Sequence, residues 1–252
     1  PIQVSISQFY GIEINDFAVT VAKTALWIAE SQMMKETESI VLMHLDFLPL
    51  KTNANITEGN ALRIDWENIV PKNELSYIMG NPPFIGYSLQ TKEQKEDILS
   101  IYVDENGKPY KTAGKVDYVS GWYFKAAQLM QNTVIQTAFV STNSITQGEQ
   151  VAAVWKPLYE RFHIHIDFAH RTFIWDSEAS QKAHVHCVIV GFSTKLNTKE
   201  RVLYSSDRFQ IVDNINAYLV NAPDIFVESN KKPICDVPEM VKGSSPVDGG
   251  NF

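Results

Sequence analysis

Asn81-Pro82-Pro83-Phe84, directly behind the apolar run Tyr77-Ile78-Met79-Gly80, is the stretch of this chain whose residue types point to a chemistry. An amide, two prolines and an aromatic at a strand end suit methyl transfer to an amine conjugated with a heteroaromatic ring. The lone pair of such an amine is delocalised, so it needs hydrogen-bond acceptors rather than a strong base. Asn81 offers a side-chain carbonyl. The Pro82 carbonyl is a second acceptor, held outward because each proline ring fixes its own φ and restricts the residue before it. Together they can hold both amine hydrogens, and their dipoles stabilise the positive charge that grows on nitrogen more in the transition state than in the ground state. Phe84 adds a flat face on which a base can stack, worth about 1–3 kcal/mol. Taken alone, the tetrapeptide also admits a plainer reading, a turn that closes a strand.

These residues need a frame. Ser7-Gln8-Phe9-Tyr10-Gly11-Ile12-Glu13 is a short apolar run ending in an acid, and from Asn15 onward the pattern turns helical. Ala18, Ala22, Ala25 and Ala29 mark one face, Phe17, Val21, Leu26 and Ile28 widen it, and Asn15 or Asp16 can cap its start. An acid at the carboxyl end of such a strand is where a nucleotide-binding α/β sheet places its ribose-binding carboxylate. Glu13, with Ile14 beside it, is the candidate; in isolation a strand-end glutamate is a solvated surface acid. Asn55 to Leu62 reads as another strand ending in a polar turn.

Downstream, helical spacing over Asp117 to Gln131 precedes a compact strand at Thr137 to Ser141. A helix from about Glu149 to Tyr159, interrupted near Pro157, leads to strands at Ile164 to Phe168, Ala183 to Phe192 and Arg201 to Tyr204. Strands alternating with helices predict a mostly parallel, doubly wound, Rossmann-like α/β sheet, with room for a late antiparallel strand or hairpin. The lysine-rich stretch Gln90 to Lys115 reads as a mobile loop over the site.

Asn-Pro-Pro-Phe after a hydrophobic strand resembles the catalytic motif of DNA adenine-N6 methyltransferases. Several segments together resemble the MmeI-like class of restriction-modification methyltransferases more closely. They are Phe9 to Asn15, Gly80 to Phe84, Ala183 to Phe192 and Pro246 to Asn251. The resemblance implies an S-adenosylmethionine-dependent enzyme acting on a flipped adenine in double-stranded DNA. Asn81, Pro82, Pro83 and Phe84 are then catalytic, and Glu13, Ile14, Asn60, Ala61 and Asn81 seat the cofactor. Asn60 matches a family position that is more often aspartate, and Asp65 is its alternative. Tyr87, Asn143 and Phe173 are candidates for the base pocket. The family's glycine-rich loop is not found: only twelve residues precede Glu13, and no Gly-x-Gly occurs. The expectation is a catalytic domain over residues 1–235, truncated at its start, with a linker at 236–252 leading to a target-recognition domain outside the chain.

At 252 residues and 44% hydrophobic, the chain can bury one substantial core. No apolar run reaches membrane-spanning length, and two cysteines, Cys187 and Cys235, suggest a reducing interior, so a cytoplasmic, non-membrane protein is expected. The net charge of −7 is awkward for a DNA enzyme, because neutralising phosphates supplies most non-specific affinity. The fragment alone is therefore expected to bind DNA poorly, with a basic recognition domain providing most of the hold. His163/His165 and His184/His186 have strand spacing that could place two rings on one face, yet no cysteine pair or carboxylate completes a zinc site. Methyl transfer from a sulfonium needs no metal, since in-line positioning does most of the work. Two other readings remain open: a protein glutamine methyltransferase, which uses the same motif on a side-chain amide, and a catalytically idle DNA-binding module.

Overall fold

The computed structural model describes residues 3–45, 54–175, 185–194, 200–206, 208–230 and 235–237. Strand β1 (Tyr10–Glu13) leads into the long helix α1 (Asp16–Val41), and β2 (Asn55–Glu58) returns parallel to β1, with Glu13 opposite Glu58. Asn15 is the cap of α1: its side chain accepts from the Ala18 amide at 2.9 Å, while Asp16 occupies the first turn.

A second sheet contains β3 (Tyr77–Gly80), β4 (Gln136–Thr142), β5 (His165–Trp175), β6 (Val185–Ser193), β7 (Arg201–Ser205) and β8 (Arg208–Val212), in the order β3-β4-β6-β5-β7-β8. The β3–β4 and β5–β7 pairs are parallel. The late antiparallel strand is β6, inserted between β4 and β5, and β7 with β8 forms the hairpin pair. The chain is thus of the Rossmann-like α/β class, with a mixed sheet. Strand β8 had no clear signal in the sequence, being short and largely exposed.

Helices α2 (Lys92–Ile101), α3 (Ser120–Leu129) and α4 (Gly148–Phe162) complete the described elements. Because side chains alternate across a sheet, one register row, Phe139, Val190, Ala169 and Leu203, is buried together in the core. Tyr123 of α3 fills the space above it, with ring centroids 5.2 Å from Phe139, 5.3 Å from Phe192 and 5.4 Å from Trp155 of α4. The neighbouring row points the other way, and its ends, Met79 and Ile211, are 79% and 57% exposed. In that row Gly191 lies under the Phe168 ring, where a Cβ would come within 2.1 Å of a ring carbon.

Two expectations are corrected. Residues 90–115 are not a loop over the site: they contain α2, which starts with a Thr91/Gln94 capping box and buries Asp97 and Ile98. The capping signal and the apolar spacing of Ile98, Ile101 and Tyr102 outweigh the lysines. Nor does Pro157 interrupt its helix, since α4 runs through it. A proline in a helix leaves the carbonyl four residues earlier without its donor. Here the buried Tyr102 hydroxyl supplies one, donating to the Ala153 and Val154 carbonyls at 3.0 and 2.7 Å. Among the described residues no helix is long and apolar enough to cross a membrane.

Candidate active site

The Gly59 amide donates to the Glu13 carbonyl at 2.8 Å, extending the β1–β2 ladder by one step and bringing Asn60 next to the end of β1. Gly59 has φ +147°, a conformation that L side chains rarely adopt, so the turn into Asn60 depends on glycine. The half-buried Glu13 carboxylate accepts from the Asn15 amide through Oε1 at 3.0 Å, and Ile14 is exposed beside it. A strand-end carboxylate, an adjacent amide and an exposed aliphatic side chain form a donor and acceptor set that fits a nucleoside.

The Asn60 side chain is fixed at both ends. Oδ1 accepts from the Leu62 amide at 2.9 Å, and Nδ2 donates to Asp97 Oδ2 at 3.1 Å. The buried Asp97 of α2 also receives Arg63 Nε at 2.7 Å and the Tyr118 hydroxyl at 3.0 Å. That ion pair raises the Arg63 pKa, first through the hydrogen bond, and burial raises that of Tyr118. The Ala61 carbonyl accepts from Trp66 Nε1 at 2.8 Å and from Lys125 Nζ at 3.0 Å. Lys125 reaches across from α3 and also donates to the Leu62 and Ile64 carbonyls. Burial lowers its pKa to about 8. Asp65, the alternative to Asn60, instead caps the short 3-10 turn at Trp66–Asn68, accepting from the Glu67 amide at 3.0 Å.

Strand β3 delivers the tetrapeptide. Gly80 pairs with Phe139 of β4; Asn81 follows exposed, Pro82 is buried, Pro83 is exposed and Phe84 is half-buried. Among the described residues neither the Asn81 amide nor the Pro82 carbonyl takes part in a hydrogen bond, whereas the Pro83 carbonyl accepts from the Ile85 amide at 3.2 Å. The chain behind them is tied down. The Tyr118 amide donates to the Ile85 carbonyl at 2.9 Å, and the Tyr87 amide donates to Asp117 Oδ1 at 3.0 Å. Tyr118 therefore joins the two halves of the site, its amide on the segment behind Phe84 and its hydroxyl on Asp97 beside Asn60.

The other oxygen of buried Asp117 accepts from Ser144 Oγ at 2.6 Å, which brings Tyr87 and the turn containing Asn143 together. Phe173 pairs with Cys187, which also pairs with Thr142, so Phe173 lies level with the residue before Asn143. The histidine pattern is corrected: His163 is not on a strand but ends α4 in the left-handed conformation, two residues before His165 opens β5. His184 and the Pro246 to Asn251 segment lie outside the described residues. Among the described residues no cluster of three His, Cys, Asp or Glu is placed to hold a metal.

Asp97, Asp117, Tyr118 and Lys125 were not singled out from the sequence. Each works on backbone or side-chain atoms more than twenty residues away, and no local spacing encodes that. Asp117 alone left a trace, as an acid just ahead of a helical pattern.

Residues 1–205 match the family described as MmeI, DNA-methyltransferase domain. The chain is 44% identical over 253 residues to DNA methyltransferase A of Bacillus subtilis (strain 168), an alignment covering 99% of this chain and 28% of that protein. It superposes with TM-score 0.90 and 41% identity on the Type IIL restriction-modification enzyme MmeI, solved in complex with DNA, covering 100% of this chain and 34% of that one. The chain thus spans about a third or less of the length of these relatives.

Proposed function

Because the chain belongs to the MmeI DNA-methyltransferase domain family, we propose that it carries the catalytic centre of a site-specific adenine-N6 methyltransferase. It uses S-adenosylmethionine, acts on a flipped base in double-stranded DNA, and works in the cytoplasm as part of a restriction-modification enzyme. Residues 1–235 are the catalytic unit in this reading. The observation that carries it is a pair of acceptors without a hydrogen-bond partner among the described residues, Asn81 Oδ1 and the Pro82 carbonyl, at the end of a strand whose trailing loop is tied down by Asp117 and Tyr118.

The mechanism follows from those groups. Asn81 and Pro82 accept the two hydrogens of the adenine amine and orient its nitrogen. Their dipoles oppose the positive charge that forms there, an interaction stronger in the transition state than before it. Phe84 stacks on the extruded base, which repays part of the unstacking cost. Glu13 accepts from ribose hydroxyls, Ile14 covers the adenine face, and Asn60 with the Ala61 backbone meets the adenine edge. S-adenosylmethionine supplies an electrophilic methyl group on its sulfonium.

The test is to incubate the full-length protein and its Asn81→Ala variant with unmethylated DNA and methyl-labelled S-adenosylmethionine, then identify the labelled nucleoside. Label in N6-methyladenine that disappears in the variant is the expected result. Label in another nucleoside, or in protein glutamine, would overturn the adenine assignment.

A further inference from the structure

Asparagine at position 60 raises a question of polarity. An aspartate there can only accept, whereas an amide can turn either its oxygen or its nitrogen toward a ligand. To accept from the exocyclic amine of adenine, Asn60 must present oxygen. The same pocket would take a base carrying an oxygen at that position if the amide turned over.

The Leu62 amide and Asp97 set the orientation, with the Tyr118 hydroxyl hydrogen-bonded beside them. The Leu62 amide is a donor and lies 2.9 Å from Oδ1; Asp97 is an acceptor and lies 3.1 Å from Nδ2. Turning the amide over would set donor against donor and acceptor against acceptor. Asp97 is itself held: it is 7% exposed, and Arg63 and the Tyr118 hydroxyl fix its two oxygens. The Leu62 amide belongs to the same turn as Asn60 and moves with it. The charged acceptor that comes from a separate element is Asp97, carried by α2, with the Tyr118 hydroxyl donating to it.

We propose that Asp97 is a specificity-determining positioning residue: by holding the Asn60 amide with its oxygen toward the cofactor pocket, it makes the pocket select adenine over a 6-oxo purine. This rests on the reading that Asn60 meets the adenine edge of S-adenosylmethionine. Asp97 touches neither cofactor nor substrate and acts through Asn60.

The experiment measures calorimetric binding of S-adenosylhomocysteine and its deaminated counterpart, S-inosylhomocysteine, to the full-length protein. The comparison covers wild type, Asn60→Ala, Asp97→Asn and Asp97→Glu. Wild type should prefer the adenine compound by at least about 10-fold, the scale of one well-made or one frustrated hydrogen bond. Asn60→Ala should abolish the preference. Asp97→Asn, which can offer a donor to the asparagine oxygen while the Leu62 amide still favours that oxygen, should lower the ratio by at least about 3-fold, and Asp97→Glu should restore most of it. A general loosening of the fold would weaken both ligands alike and leave the ratio unchanged. Should Asp97→Asn not fold, Asp97→Ala favours the helix, removes the acceptor that holds the amide nitrogen, and reads the same fall in the ratio. Preserved selectivity in the Asp97 variants together with its loss in Asn60→Ala overturns the proposal and leaves the Asn60 reading standing. Preserved selectivity in Asn60→Ala, or none in wild type, overturns both.

Discussion

The turn after β2 and the turn after β3 are built in opposite ways. Around Asn60 the polar groups are matched to one another: the amide spans Leu62 and Asp97, Arg63 closes on Asp97, and Lys125 gathers three carbonyls. At Asn81 and Pro82 two strong acceptors have no hydrogen-bond partner among the described residues, and the constraint is moved back to Ile85 and Tyr87. A seat that selects a ligand by its hydrogen-bonding edge gains from being ordered in advance. Acceptors meant for a developing charge must be rigid in position yet open toward it. In the proposed reading the fold meets both needs by placing the hydrogen bonds at the turn in one case and behind it in the other.

Asn81→Ala tests the open turn most severely. Turnover should fall by about 10²–10³-fold, the usual loss for one acceptor or donor aimed at transition-state charge. The melting temperature should hold, because Asn81 is exposed and its side chain has no hydrogen-bond partner among the described residues. A matching drop in melting temperature would mean that the asparagine is structural and that the contrast is false.

Asp117→Ala attacks the constraint behind that turn. It strips the acceptor from the Tyr87 amide and the Ser144 hydroxyl, at about 1–3 kcal/mol for each group left unpaired in the interior. Stability and turnover should fall together, read by denaturant titration and by methyl incorporation. Stability lost with turnover intact would show that the loop needs no support from Asp117.

On the ordered side, Gly59→Ala should cost about 1–3 kcal/mol. The origin is φ +147° rather than contact, since the atom a Cβ would meet, Ile64 Cδ1, is a side-chain tip that can rotate away. Cofactor affinity should weaken in parallel, measured by calorimetry. An unstrained alanine here, with unchanged melting and binding, would show that the turn is not set by its glycine.

The tetrapeptide after β3 and the strand-end acid were legible in the sequence because each is local: four consecutive residues after an apolar run, and an acid where a period-2 pattern gives way to a 3.6 pattern. The sheet was legible in outline for the same reason. Residues 90–115 read as a loop because their polar, lysine-rich composition masks the Thr91-x-x-Gln94 cap, and Pro157 reads as an interruption because the donor at the freed carbonyl, Tyr102, lies just past the end of another helix. Of the supports of the site, only Asp117 left a trace in the sequence. Asp97 is 37 residues from Asn60 and Lys125 is 64 from Ala61, so only the packing of α2 and α3 against the turn reveals them.

Lys125 gives the smallest and most conditional effect. Burial disfavours its charge, while the Asp65 carboxylate and the hydrogen bonds to the Ala61, Leu62 and Ile64 carbonyls favour it; burial prevails and lowers the pKa from 10.5 to about 8. The folded chain then releases this proton before the unfolded chain does. Between about pH 8 and 10.5 the unfolded state holds more protons, so the Lys125 contribution to stability rises with pH and is lost as pH falls through about 8. Solvent screens a half-exposed ammonium, so the rise should be about 1 kcal/mol rather than the full equivalent of the shift. Denaturant titrations of wild type and Lys125→Met at pH 7.5 and pH 10 read it as a stability gap that moves in favour of wild type at the higher pH. A gap that stays level, or moves the other way, would mean that the three carbonyls hold the proton on, making the turn after β2 an ammonium-bound structure throughout that range.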